Sequence, residues 1–238
     1  MESLKDKNVL IVGATGGIGY STAKLLHQSG ANVYIAGRNS DKLTRIATEL
    51  GISANRTFVV DISNLDDVRS MADSIHSNIG NVDILINAAG IGIIKSLEEL
   101  TEDDFLKTLQ VNLIGAFYLM RNFIPAMKTV KKGLIRNIPG VLGKTPMQGA
   151  AAYSASKYGL NGMMKSIREE LKRTDIRITN IFLGGTDSPF WDNIDLRVQR
   201  DKFVSSEEAA KSIWFLCQQP SSGVVSELVL QPFNHQAI

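Results

Sequence analysis

Seven short apolar runs recur along the chain: NVLIVG at 8–13, NVYIAG at 32–37, RTFVVDI at 56–62, VDILINA at 82–88, GLIRNI at 133–138, RITNIFL at 177–183 and SELVLQ at 226–231. Most are apolar nearly throughout rather than at alternate positions, the pattern of strands buried on both faces. The segments between them are long enough for crossover helices. Strands alternating with helices predict parallel pairing, with helices on both faces of the sheet. Ser205 three residues before Glu208 predicts a helix start with a capping box, and Thr101 before the acidic residues 102–104 predicts another. Pro125 within the helical stretch 102–130 predicts a bend or an end nearby. No Gly/Ser-rich linker, biased tract or repeat interrupts the alternation, so residues 1–238 are expected to form one domain.

Composition narrows the function. Hydrophobic residues make up 44% of the chain, enough to bury a sizeable core, and a net charge of +2 offers neither nucleic acid nor a membrane surface a bulk attraction. A local basic pocket stays compatible with that balance. Cys217 is the single cysteine, which excludes an intrachain disulfide and argues against a cysteine-built zinc site. His27, His76 and His235 show no ligand spacing, so structural or surface roles are expected and no metal. The N-terminal MESLKDKNVLIVGA lacks the pattern of a signal peptide, and no run approaches the ~20 apolar residues of a membrane span. A cytoplasmic location is expected.

The first run leads into GATGGIG and then the helical pattern YSTAKLLHQSG. A glycine triplet between a strand and a helix lets the backbone approach a pyrophosphate, and the helix N-terminus offers N–H groups and partial positive charge. Gly13, Thr15, Gly16, Gly17, Ile18 and Gly19 are the candidate cofactor contacts here; a tight turn without ligand is the alternative. The second run ends Gly37-Arg38-Asn39, with no acid before Asp41 to accept from a ribose 2′-hydroxyl. A guanidinium at 38 suits a 2′-phosphate instead. NADP(H) is therefore expected over NAD(H), with Arg38 and Asn39 in contact, unless Arg38 is only a solvated loop side chain. Asp61, Ile62, Asn87, Ala88 and Ala89 close the next two runs and are expected on the same ligand-bearing edge, Asp61 toward the adenine.

Tyr153 and Lys157 lie four residues apart in AAAYSASKYGL. On a helix they share one face, one turn apart. A free tyrosine titrates near about 10; an ammonium beside it, and an oxidised nicotinamide, would lower that value and make the phenol a usable acid/base for a carbonyl or alcohol. As a bare pattern the pair also fits an exposed helix surface.

The ordered set GATGGIG, VVDI (59–62), INAAG (86–90), VNLIG (111–115), YSASK (153–157) and LGGTDSPF (183–190) resembles the short-chain dehydrogenase/reductase family over nearly the whole chain. The resemblance implies a Rossmann-type, doubly wound α/β fold with a seven-stranded parallel sheet, NAD(P) as hydride carrier, and a homotetramer or homodimer. It implies Tyr153 as the acid/base, Lys157 as its tuner and ribose holder, Asn112 as support for a water leading to the lysine, and Thr186 at the cofactor. The residues alone make Asn112 only a polar helix position.

One departure touches the chemistry. The family pattern has a serine thirteen residues before the tyrosine, and here that position is Gly140, preceded by Pro139. Losing one donor to a developing oxyanion typically costs ~10²–10³ in kcat. A water, Thr145 or Gln148 could replace it. Val12, Ala88 and Leu183 also depart from the pattern, at positions that affect loop packing. The expected substrate pocket comprises Gly140, Leu142, Gln148, Phe190 and Trp191, with the segment 185–204 over the nicotinamide and an uncharged, mostly apolar carbonyl compound as the default ligand. Two functions follow: an NADP(H)-dependent oxidoreductase interconverting a carbonyl compound and an alcohol, or an NADP(H)-binding sensor or scaffold with little catalysis. The helices near 102–128 and 152–172, with the tail LVLQPFNHQAI, are the expected oligomer surfaces. Arg136, inside a buried run, predicts a partner carboxylate or an exposed face.

Overall fold

A computed structural model describes residues 1–194 and 196–234. His235 and the end of the expected tail interface lie outside the described residues, as does Asp195. The elements follow the order β1 (Asn8–Val12), α1 (Gly17–Gln28), β2 (Asn32–Gly37), α2 (Ser40–Leu50), β3 (Thr57–Val59), α3 (Leu65–Ile79), β4 (Ile84–Asn87), α4 (Glu102–Leu109), α5 (Gly115–Thr129), β5 (Lys132–Asn137), α6 (Ala151–Leu171), β6 (Asp175–Leu183), β7 (Thr186–Asp187), β8 (Val204–Ser205), α7 (Ser206–Cys217) and β9 (Glu227–Leu230). Seven strands form one sheet in the order β3-β2-β1-β4-β5-β6-β9, and all its pairs are parallel. β7 and β8 form a separate parallel pair.

The continuous apolar runs have a simple cause. Along β1, Leu10 and Val12 enter a core with α3, α5 and α6, while Val9 and Ile11 enter a second core with α1, α2 and α7. Successive side chains point to opposite faces, so a strand covered on both sides must be apolar at every position. The two edge runs are the exceptions: β9 is only partly buried, with Val229 43% exposed, and the third run is cut short. Only Thr57–Val59 forms a strand, because it is the sheet's edge, and Val59 is 60% exposed there.

Both capping boxes are present, at Thr101 with Asp104 and at Ser205 with Glu208. The break expected at Pro125 falls elsewhere. α4 and α5 are joined through a π turn at Gln110–Ile114, while Pro125 sits inside α5, which runs on to Thr129. Buried Phe123, Ile124 and Met127 flank the proline and anchor the turn around it.

Arg136 corrects a second expectation. It is 2% exposed and has no carboxylate partner among the described residues. Its guanidinium instead donates to Thr179 Oγ1 at 3.0 Å and to the carbonyls of Ile135 and Leu216, tying β5 to β6 and to the end of α7, while Nε has no partner. Neutral oxygens thus take the place of the anion. Cys217 lies beside it, and burial pushes that thiol up to about 11. Among the described residues, no helix is long and apolar enough to cross a membrane, and no cluster of three or more His, Cys, Asp or Glu could hold a metal.

Candidate active site

Strand order reverses between β1 and β4, and ligands of open parallel sheets bind outside the strand ends at such a point. A cleft of about 900 Å³ opens there, lined from the glycine turn at one end to Tyr153 and Lys157 further along. Gly13 follows β1 with φ +89°, and a Cβ on it would stand 2.6 Å from the Ala89 nitrogen. The turn is therefore packed against the chain leaving β4. α2, α3, α4 and α7 each begin with a side-chain cap; α1, preceded by Gly16, and α6, preceded by Ala150, do not, and Gly16 to Gly19 line the cleft. Thr15, Ile62, Ala88, Ala89 and Thr186 line it too.

Arg38 and Asn39 line the same cleft where β2 ends. Asn39 Oδ1 is occupied in capping α2, accepting from Lys42 N–H at 2.8 Å. Lys42 also lines the cleft, four residues beyond Arg38, and adds a second cation that the sequence reading missed. Asp61 does not line the cleft, although its neighbours Val60 and Ile62 do. Its Oδ1 accepts from the backbone and hydroxyl of Ser63 at 2.9 and 2.6 Å. Burial raises this carboxyl, but those bonds and the Arg38 charge hold it below the ordinary aspartate value.

Asn87 likewise lies beneath the cleft rather than in its lining. It starts a buried ladder across the strand ends: Asn87 Nδ2 donates to Asn137 at 3.0 Å, Asn137 to Asn180 at 3.3 Å, Asn180 to Asn161 at 3.0 Å, and Asn161 to the Gly143 carbonyl at 3.1 Å. The ladder fixes the loop after β5 relative to β4 and α6.

Tyr153 and Lys157 face the cleft from the first turns of α6, with Lys157 Nζ 5.4 Å from the centre of the tyrosine ring and 3.4 Å from the Ile138 carbonyl. Asn112 sits in the π turn. Its Oδ1 accepts from Ile91 N–H at 2.8 Å, and its Nδ2 donates to the Ile91 carbonyl at 2.9 Å and to Ser156 Oγ at 3.0 Å. Ser156 in turn donates to the Tyr153 carbonyl at 2.7 Å. Asn112 thus clamps the chain leaving β4 onto α6, and π turns recur at such functional positions. The expected lowering of the tyrosine is reversed by the protein's own groups: burial raises the Tyr153 hydroxyl above its ordinary value and pushes the Lys157 ammonium down to about 8. Desolvation disfavours both charged forms.

The loop after β5 carries Gly140 at φ +72° and ψ 169°, a combination essentially restricted to glycine. Gly140, Leu142 and Thr145 line the cleft; Gln148 is exposed and does not. Opposite lies an aromatic row. Phe190 packs on Tyr153 at 5.8 Å between ring centres, Trp191 on Phe190 at 5.3 Å, and Phe203 on Trp191 at 5.3 Å. The Trp191 indole donates to the Thr186 carbonyl at 2.9 Å.

The model of the short chain dehydrogenase family matches residues 7–199. The chain belongs to this family. An uncharacterised oxidoreductase of Staphylococcus saprophyticus is 28% identical over 98% of both chains. Among solved structures, an alcohol dehydrogenase from the archaeon Thermococcus sibiricus complexed with 5-hydroxy-NADP is 25% identical with a TM-score of 0.87, covering 98% of this chain and 99% of that one. A metagenomic short-chain oxidoreductase in complex with NADP is 29% identical with a TM-score of 0.83, covering 98% and 100%.

In this short-chain dehydrogenase, the cleft brings together the glycine turn, Arg38, Thr186, Tyr153, Lys157, Gly140, Leu142, Phe190 and Trp191. It leaves Asp61, Asn87, Asn112 and Gln148 outside the lining. The sequence reading missed Lys42, whose spacing from Arg38 was visible, and Arg197, Lys202 and Phe203, which only the folded path of the segment before α7 brings to the cleft.

Proposed function

We propose that this short-chain dehydrogenase is an NADP(H)-dependent oxidoreductase that interconverts a carbonyl compound and an alcohol, with Tyr153 as the acid/base group. The observation that carries the reading is half-buried Tyr153 beside buried Lys157, both opening on the same cleft as the glycine turn. The residues fit NADP(H): the uncapped start of α1 suits the pyrophosphate, and Arg38 with Lys42 offers two cations to a 2′-phosphate. When bound, the cofactor supplies the hydride. Tyr153 gives its hydroxyl proton to the carbonyl oxygen as the alcohol forms. Burial keeps this phenol protonated throughout the neutral range, so it holds the proton that reduction requires. Lys157, still largely cationic at neutral pH, stabilises the phenolate left behind and suits the ribose hydroxyls. Asn112 positions both through Ile91 and Ser156. Thr145 is the one hydroxyl side chain in the 138–150 loop and lines the cleft, so it is the candidate second donor to the carbonyl oxygen.

Gly140 supports a second reading, an NADP(H)-binding protein with weak or no catalysis. A panel of ketones and aldehydes with NADPH and with NADH separates the two. The oxidoreductase reading expects turnover that prefers NADPH and falls about 10³-fold in Tyr153→Phe. Tight NADPH binding without turnover would leave the sensor reading. We further propose a single-domain, cytoplasmic homo-oligomer, dimer or tetramer. Its support is three exposed apolar residues, Leu106 on α4, Phe117 on α5 and Tyr158 on α6; a monomeric mass in solution would overturn the oligomer.

A further inference from the structure

The segment between β6 and α7 carries three basic side chains with different fates. Arg200 is occupied within the segment: Nε bonds Asp187 at 2.6 Å, Nη1 bonds Asp192 at 2.7 Å, and Nη2 donates to the Ser188 carbonyl at 3.1 Å. Arg197 and Lys202 form no ion pair among the described residues, are exposed, and line the cleft. Among the described residues, no aspartate or glutamate lines it. Asp187 and Asp192 are taken by Arg200, and Asp201, though on the same segment, is outside the lining.

Among the described residues, five cations line the cleft, and they divide by position. Arg38 and Lys42 stand at the end of β2 and the start of α2, where the 2′-phosphate is proposed. Lys157 is buried beside Tyr153. Arg197 and Lys202 are left without an anion among the described residues. Lys202 adjoins Phe203, the last ring of the row that starts at Tyr153. An apolar wall leading from the acid/base group to unpaired cations describes a ligand that is apolar in the middle and anionic at its far end.

We infer that the carbonyl or alcohol substrate carries a carboxylate or phosphate remote from its reacting carbon, read by Arg197 and Lys202, with an aromatic or other apolar body against Phe190 and Trp191. This rests on the proposed reduction and replaces the uncharged compound expected from the sequence. Charge selection comes from the pair of cations, with no carboxylate among the described lining residues to repel the anion.

The test uses two matched probes, 4-formylbenzoate and its methyl ester, on the full chain. With NADPH, the acid is expected to exceed the ester in kcat/KM by about tenfold, chiefly through KM, with the advantage shrinking as salt rises. Arg197→Gln with Lys202→Gln should bring the ratio to about one. Calorimetry of both probes on the NADP⁺-loaded protein reads the same selectivity without turnover. If neither probe is reduced but the acid binds more tightly than the ester, the reduction reading fails and the charge inference stands. If the acid has no advantage in turnover or in calorimetry, the charge inference fails whatever becomes of the reduction. It fails equally if the double variant keeps the acid-to-ester ratio and instead weakens NADPH binding, for the two cations would then serve the cofactor.

Discussion

At the end of β1, Gly13 takes φ +89°, and a Cβ there would stand 2.6 Å from the Ala89 nitrogen and 2.7 Å from the Ala88 carbonyl carbon. At the end of β5, Gly140 takes φ +72°, yet a Cβ there would meet only the Leu183 carbonyl oxygen, at 3.5 Å. Both glycines face one cleft. Packing and conformation together exclude a side chain at the first; conformation alone excludes it at the second. The serine expected at 140 is therefore more than a missing hydroxyl. The backbone takes a path that side-chain-bearing residues rarely follow, and the chemistry at that strand end has to be arranged around it.

The largest effect should come from Gly13→Ala. Overpacking against backbone costs about 1–3 kcal/mol, and positive φ adds about 1–2 kcal/mol. The melting temperature should fall by about 10 °C, and NADPH binding, read by cofactor fluorescence, should be lost. A variant that melts within about 2 °C of the parent and still binds NADPH would mean that the two strand ends do not differ in packing.

A second test singles out the β5 end through pH. Lys157 Nζ lies against the Ile138 carbonyl there, and burial takes its pKa from the ordinary 10.5 down to about 8. Between those values the folded chain binds fewer protons than the unfolded one, so stability should rise with pH. The cost of the buried ammonium is fully present below pH 8 and is relieved by about 10.5, a span on the order of 3 kcal/mol. Tyr153 acts oppositely. Its raised pKa leaves the folded phenol protonated above pH 10 while the unfolded one ionises, so stability should fall there. Melting curves of Lys157→Met should lack the rise between pH 8 and 10. An unchanged rise would assign it elsewhere.

The same contrast explains what the sequence made legible. Gly13 belongs to a motif because its packing demands glycine, and such demands repeat as spacing. The continuous apolar runs were readable for a similar reason: burial on both faces constrains every position. Gly140 shows only an absent hydroxyl in the sequence, since φ is not written there. Arg136 reads as an unpaired charge until Thr179 and Leu216, far away in the chain, supply its acceptors. Asn112 looks like an ordinary helix residue because the π turn that aims it carries no sequence sign. Arg197 and Lys202 reach the cleft only through the irregular path between β6 and α7, where no periodicity marks which side chains face inward.

The smallest expected difference is also the most discriminating. Gly140→Ala and Gly140→Ser share one backbone cost, about 1–3 kcal/mol for an L residue in this region of φ and ψ, and should melt within about 0.5 kcal/mol of each other. Comparing them removes that cost and isolates the hydroxyl. A Cβ at 140 would lie 3.5 Å from the Leu183 carbonyl oxygen, so a serine hydroxyl there has a backbone acceptor within reach before any substrate arrives. A hydroxyl donating to Leu183 gives nothing to a developing oxyanion. The kcat values of the two variants should therefore agree within about threefold, well short of the ~10²–10³ that a working donor supplies. A serine variant faster than the alanine variant by that larger factor would show that the backbone at 140 relaxes, and the conformational half of the contrast with Gly13 would fall.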